Sequence, residues 1–132
     1  MRKLNIAIAG TGFGEKVHIP AIKESDLFDL KFLYHYNKNK IENIEQRTGF
    51  KCVSDWNSIT TNDDIDGIII ATPPHIRYEL AKDALQHGKN LLLEKPVALK
   101  SEEIANLQRI AISKNLSVCV DFEYRAVPIF MQ

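Results

Sequence analysis

The stretch LNIAIAGTGFGEKVHIP, Leu4–Pro20, decides the fold. It opens on a short, mostly apolar run ending at Ala9, as expected of a strand buried on both faces. Gly10, Gly12 and Gly14 follow within five positions, and a helical pattern with Val17, Ala21 and Ile22 then covers Glu15–Ser25. A glycine turn between a buried strand and a helix is the first unit of a nucleotide-binding sheet. Gly10 lets the chain turn tightly, Gly12 lets the backbone approach a pyrophosphate, and the helix aims free N–H groups and its positive dipole end at the anion. The dinucleotide fingerprint puts its third glycine where Glu15 stands; here Gly14 comes one residue early. Glu15 would repel phosphate unless it points away. The same spacing serves S-adenosylmethionine-dependent methyltransferases, and some glycine turns bind nothing, so the turn alone leaves these readings open.

Working outward, apolar runs keep alternating with helical patterns. Leu30–Tyr36 reads as a second strand, Lys38–Thr48 as a helix with Gly49 as C-cap, and Lys51–Val53 as a short third strand. Asp55 is placed to cap a short helix holding Trp56 and Ile59. Ile65–Thr72 is the clearest strand, stopped by Pro73 and Pro74. Tyr78–His87 is a helix closed by Gly88, and Asn90–Leu93 is the fifth strand. Ser101 is placed to cap a helix to about Ser113, with Glu102 and Glu103 in its first turn, and Leu116–Asp121 is the sixth strand. This order predicts an α/β fold, a Rossmann-type doubly wound parallel sheet in three α/β/α layers with right-handed crossovers. Residues 1–132 read as one domain without linker or repeat. RAVPIFMQ turns apolar after Pro128, so a further helix is expected to start there, and the chain is expected to be a fragment of something longer.

Composition narrows the function classes. Lys plus Arg and Asp plus Glu number 17 each, so no global charge draws the chain toward nucleic acid or a membrane surface. No run reaches the roughly 20 apolar residues of a membrane span, and the N-terminal run is too short for a signal-peptide core. Cys52 and Cys119 have apolar neighbours and no metal-binding spacing, which reads as two reduced core residues of a cytoplasmic protein without a metal site.

Two further places bear on chemistry. The end of the second strand, Tyr34-His35-Tyr36-Asn37-Lys38-Asn39-Lys40, holds no carboxylate to accept hydrogen bonds from a ribose. That disfavours a methyltransferase. Lys38 and Lys40 are placed to meet a 2′-phosphate and Asn37 to hydrogen-bond it, which tilts the reading from NAD toward NADP, with a solvated basic turn as the alternative. LLLEKPVAL, Leu91–Leu99, then puts Glu94 and Lys95 directly after a buried strand, on the sheet edge that carries the glycine turn. Pro96 keeps Lys95 out of helical geometry. A partly desolvated lysine there can protonate a carbonyl oxygen or deprotonate a hydroxyl, with Glu94 holding its ammonium; the alternative is a plain surface pair at a strand end.

Taken together, GTGFG with H-x-P, ATPP, EKP and DFEYRAVP resemble the N-terminal half of the Gfo/Idh/MocA oxidoreductases, from Leu4 to about Pro128. The resemblance implies a nicotinamide-dependent dehydrogenase or reductase acting on a sugar, cyclitol or similar hydroxylated substrate, a homo-oligomer when full length. It implies Lys95 as the catalytic lysine with Glu94 as its neighbour, and Gly10, Thr11, Gly12, Phe13 and Gly14 around the pyrophosphate. Ala71, Thr72, Pro73 and Pro74 would line the adenosine and nicotinamide ribose side, Pro96 would lie by the nicotinamide, and Arg125 at the domain junction. Tyr36, Asn37 and Lys38 would meet the adenosine end. Of the other readings, a non-enzymatic dinucleotide-binding module stays open and a methyltransferase is the least favoured.

The chain departs from the family pattern at three places. Arg77 stands where the family often has histidine, and His75 reads as a helix-start histidine in solvent. Tyr36 and Asn37 stand near where some relatives carry arginine; Tyr36 can stack on adenine but brings no positive charge. The family's second domain, which supplies most of the substrate pocket and the usual oligomer interface, is absent from these residues, so the chain is expected to bind cofactor without turning over substrate. His18 matches the histidine of H-x-P and is expected to serve first-helix packing.

Overall fold

The computed structural model of the protein describes residues 1–126. The helix expected after Pro128 lies outside the described residues. Strands β1 (Leu4–Ala9), β2 (Phe28–Tyr34), β3 (Cys52–Val53), β4 (Gly67–Ile70), β5 (Asn90–Glu94) and β6 (Val118–Asp121) form one sheet in the order β3-β2-β1-β4-β5-β6. Every neighbouring pair is parallel. The order reverses between β1 and β4, which makes the carboxyl ends of these two strands the topological switch point.

Helices cover the two faces because the strands are apolar on both. Ile6 and Ile8 of β1 and Ile69 of β4 pack with Ile19 and Ile22 of α1 (Ile19–Glu24) and Ile44 of α2 (Ile41–Thr48). Ala7, Ala9, Ile68 and Ile70 point the other way. They meet Ile59 of α3 (Asn57–Thr60), Ala81, Ala84 and Leu85 of α4 (Pro74–Gln86), and Leu107 and Ala111 of α5 (Ser101–Ser113). The period-two alternation along β1 and β4 thus builds the three layers. Among the described residues no helix is long and apolar enough to cross a membrane.

Four details differ from the sequence expectation. β2 ends at Tyr34, so Tyr36 lies beyond the strand. The helix expected from Tyr78 begins at Pro74, because proline lacks the N–H that a first turn would leave unpaired; Pro73–Pro74 therefore end one element and start the next. Ser101 is the first residue of α5 and not its cap: the Glu103 carboxylate accepts the N–H groups of Leu99 and Lys100, at 3.2 and 3.3 Å. Cys52 is buried, but Cys119 is exposed. It sits on the edge strand, in a 760 Å³ hollow that runs from α1 and β1 over β4, β5 and β6.

The early third glycine has a packing explanation. Gly10 takes φ +103°, and a Cβ on it would lie 2.7 Å from the carbonyl of Ala71. A Cβ on Gly14 would lie 2.8 Å from Cγ2 of Ile8 on β1. Gly14 therefore allows close helix–strand packing, the task of the third fingerprint glycine, from one position earlier. The helix that follows opens with a π turn over Gly14–His18, in which the Ile19 N–H reaches the Gly14 carbonyl. The i→i+5 bond of this wider turn spans one more residue than the i→i+4 bond of an α-helix begun there.

Gly14→Ala is expected to lower stability by about 1–3 kcal/mol, the usual cost of overpacking. Ile8→Leu, which removes the offending branch, should restore part of that loss in the double variant. Urea unfolding of the four proteins of this cycle checks it.

Candidate functional site

A cleft of about 450 Å³ opens over the switch point. Gly10, Thr11 and Gly12 form one wall, Tyr34, His35 and Tyr36 a second, and Ala71, Thr72, Pro73, Ile76 and Arg77 a third. The walls are the segments that leave β1, β2 and β4, so the doubly wound topology itself brings them together. Two features suit a dinucleotide. A Cβ on Gly12 would meet no atom within 4 Å, so the backbone there borders open space. Thr72 is 4% exposed, and its hydroxyl has no hydrogen-bond partner among the described residues. A glycine backbone and an unpaired hydroxyl lining one cleft are donors suited to phosphate and ribose oxygens.

Glu15 does not spoil this turn. Its carboxylate faces Arg47 of α2, with Nε at 2.9 and 3.0 Å and Nη2 at 2.8 Å. The Arg47 hydrogen bond holds Glu15 below the usual carboxylate range.

The second wall holds a residue that the sequence reading passed over. The Asn37 N–H donates to Nδ1 of His35 at 3.0 Å, which makes that nitrogen an acceptor. Burial pushes the His35 imidazole below its ordinary value, and the Lys40 charge adds to this. Tyr36, 65% exposed, stacks on His35 at 4.8 Å and 19°. The pair forms a flat aromatic plate at the cleft. Lys38 and Lys40 lie on the short 3-10 turn just after it, and the Asn37 side chain is occupied in accepting the Asn39 N–H.

Arg77 is the second residue missed. It is 4% exposed on α4 and gives its guanidinium to three main-chain carbonyls: Glu94 at 2.5 Å, Pro96 and Thr72. Periodicity marks position 77 as core-facing, but no pattern in one sequence shows that a buried arginine will find carbonyls rather than a carboxylate. His75, by contrast, is exposed at the helix start.

The structure corrects the pairing of Glu94 and Lys95. Successive residues of an extended strand point to opposite faces. The Glu94 carboxylate is buried and lies 3.0 Å from Nε2 of His18, which is 3.7 Å from Oδ2 of Asp121. Lys95 is 47% exposed and its ammonium lies 3.2 Å from Glu123. The Lys95–Pro96 peptide is cis. His18, Glu94 and Asp121 each offer a ligand atom, and these atoms lie within 4.8 Å of one another, which gives one histidine and two carboxylates the donor types of a divalent-cation site. Phe13 packs on His18, Gly14 packs on Ile8, and Pro74, Pro96 and Arg125 stand outside the cleft lining.

A fully parallel, doubly wound sheet with a glycine turn and a cleft at its switch point defines a dinucleotide-binding domain of the Rossmann class. Residues 4–122 match the Gfo/Idh/MocA description, "Oxidoreductase family, NAD-binding Rossmann fold". The chain is 35% identical to an uncharacterised oxidoreductase of Synechocystis, over 95% of this chain and 34% of that protein. It is 33% identical to a levoglucosan dehydrogenase of Pseudarthrobacter phenanthrenivorans, over 97% and 35%. A 3-ketoreductase of Actinomadura kijaniata, solved with NADP, superposes with a TM-score of 0.90 at 20% identity, covering 99% of this chain and 42% of that one. The chain thus belongs to the Gfo/Idh/MocA oxidoreductase family and corresponds to its NAD(P)-binding domain. It spans about a third of the length of these curated relatives.

Two outcomes follow from the site. Arg77→Met should cost about 2–4 kcal/mol in urea unfolding, because buried carbonyls lose their donor. Glu15 should titrate below an ordinary glutamate in carboxyl NMR and return to the ordinary range in Arg47→Ala. Because its folded value is lowered, its contribution to stability is present above the unfolded value and lost as pH falls through the folded one.

Proposed function

We propose that this chain is the cofactor-binding domain of an NAD(P)-dependent dehydrogenase or reductase that moves hydride between a nicotinamide and a sugar, cyclitol or similar hydroxylated substrate. The observation that carries it is the convergence at one sheet edge of the glycine turn, the unpaired Thr72 hydroxyl and, one strand further, the Lys95 ammonium. The cofactor supplies the hydride-accepting or hydride-donating carbon. Gly10, Thr11 and Gly12 hold the pyrophosphate against backbone, while Phe13 and Gly14 support the turn from behind. The Tyr36–His35 plate takes the adenine. Ala71, Thr72, Pro73 and Pro74 line the ribose side.

Lys95 protonates or deprotonates the substrate oxygen, an acid–base role that its position after β5 favours. Glu94 acts from beneath, holding the strand end rather than the ammonium, and Glu123 is the carboxylate that Lys95 meets. Pro96 borders the nicotinamide side and Arg125 the junction with a substrate domain. The preference is for NADP over NAD: the end of β2 presents Asn37, Lys38 and Lys40 and no carboxylate to a 2′-phosphate. An oxidoreductase carrying this domain acts as a homo-oligomer, as the resemblance implies, and in the cytoplasm, as the reading of Cys52 and Cys119 as reduced residues implies.

Calorimetry of NADPH and NADH with this chain tests the assignment. NADPH is expected to bind more tightly, Lys38→Ala to narrow the difference, and Gly12→Val to abolish binding of both. Equal affinity of the Gly12→Val protein would make the turn purely structural. In an oxidoreductase carrying this domain with its substrate domain, Lys95→Ala should lower turnover by about 10²-fold, the scale of a lost acid–base group, while leaving cofactor affinity largely unchanged.

A further inference from the structure

The sequence places His18 in first-helix packing, and its imidazole does meet the Phe13 ring edge-on, at 5.4 Å and 74°. The polar edge of the ring has a different setting. Nε2 lies 3.0 Å from Oε1 of Glu94 and 3.7 Å from Oδ2 of Asp121. The three residues come from three elements: the π turn that precedes α1, the end of β5 and the end of β6. Their donor atoms lie within 4.8 Å of one another. None of the three lines the cleft at the switch point. His18 instead borders the hollow that runs over β4, β5 and β6, and the Asp121 side chain is 22% exposed.

We propose that His18, Glu94 and Asp121 bind one divalent transition-metal ion of the zinc type, which clamps the start of the first helix to the ends of β5 and β6. One imidazole nitrogen with two carboxylate oxygens suits such an ion better than Mg²⁺ or Ca²⁺, which take oxygen donors. Donors held on one ion at about 2.0–2.2 Å lie roughly 2.9–3.6 Å apart, in tetrahedral or octahedral geometry. The His18–Glu94 distance already falls in that range, and the His18–Asp121 distance enters it with a movement of Asp121 of a few tenths of an ångström. Charge argues the same way. Buried carboxylates are paired or coordinate metals. Among the described residues neither Glu94 nor Asp121 makes an ion pair with a lysine or arginine; Arg77 gives its guanidinium to main-chain carbonyls, and Lys95 meets Glu123. A divalent ion balances both carboxylates at once. Three protein ligands leave a further position for water, and the hollow beside His18 supplies an entry path. Glu94 and Lys95 point to opposite faces of the strand end, so the ion lies beneath the lysine loop and serves as a clamp.

The test uses this chain, freed of metal with a chelator and titrated with Co²⁺ and with Zn²⁺. One Co²⁺ per chain is expected to bind, with a visible d–d absorption, and Zn²⁺ should displace it. In protein carrying ¹⁵N-labelled histidine, Zn²⁺ should shift the ring nitrogens of His18 and leave those of His35, His75 and His87 in place. His18→Gln and Asp121→Asn should each weaken Zn²⁺ binding by about 10–100-fold or more, a loss seen even for residues that only support a ligand. Both should also abolish the rise in unfolding midpoint that Zn²⁺ gives the wild type. Cys119→Ser should bind as the wild type does, although the exposed thiol borders the same hollow. Absence of stoichiometric binding, or a His18 ring that Zn²⁺ leaves unshifted, overturns the site. So does binding that survives in Asp121→Asn or disappears in Cys119→Ser, which marks an adventitious ion only. The histidine spectra are read on the wild type, so they decide the matter even where a variant fails to fold. No dinucleotide enters the experiment, so its outcome is independent of the cofactor reading.

Discussion

The carboxyl edge of the sheet depends on one buried cation. Arg77 sits in the first turns of α4 and donates to the carbonyls of Thr72, Glu94 and Pro96. Those carbonyls lie at the end of β5 and on the segments that leave β4 and β5. A guanidinium is suited to this because its donors are fixed in a planar fork and remain charged when buried. Burial lowers its proton affinity, and the nearby Glu94 offsets part of that. One side chain thereby fixes the third wall of the cleft and the loop that presents Lys95.

The opposite wall is set by steric exclusion. Gly10 approaches the Ala71 backbone and Gly14 approaches Ile8 so closely that a single methyl group would collide at either place. Gly12 meets nothing, so its lack of a side chain serves the space outside the protein rather than the packing within it. Three glycines in one turn thus answer to three different surroundings, and the shortened spacing is consistent with a wider first helical turn.

Much of this was legible in the sequence because it follows from period. The apolar runs within Leu4–Gly10 and Ile65–Thr72, the helical patterns and the glycines locate the strands, the layers and the cleft. The pairings were not legible. Adjacent in sequence, Glu94 and Lys95 suggest an ion pair, yet the strand turns them to opposite faces, and their partners, His18 and Glu123, lie far away in sequence or on another element. Glu15 likewise finds Arg47 across the sheet face. Such contacts depend on how elements pack, which local pattern does not encode. Cys119 reads as core from its apolar neighbours, but it is exposed on an edge strand, and an edge strand looks like any other in sequence.

A chain of zero net charge can still keep a cleft clear of negative groups, because field depends on placement rather than on total charge. Among the described residues the lining of the cleft contains no carboxylate. Glu15 is turned to Arg47, Glu123 to Lys95, and Glu94 with Asp121 to His18 beneath the loop. What faces the cleft is backbone, hydroxyl, aromatic ring and the side of a guanidinium, with Lys38 and Lys40 just beyond its edge. Glu15, Glu94, Asp121 and Glu123 are thus each turned to a specific partner. The same partners brace the turn and the lysine loop, so the electrostatics of the cleft and its rigidity come from one set of contacts.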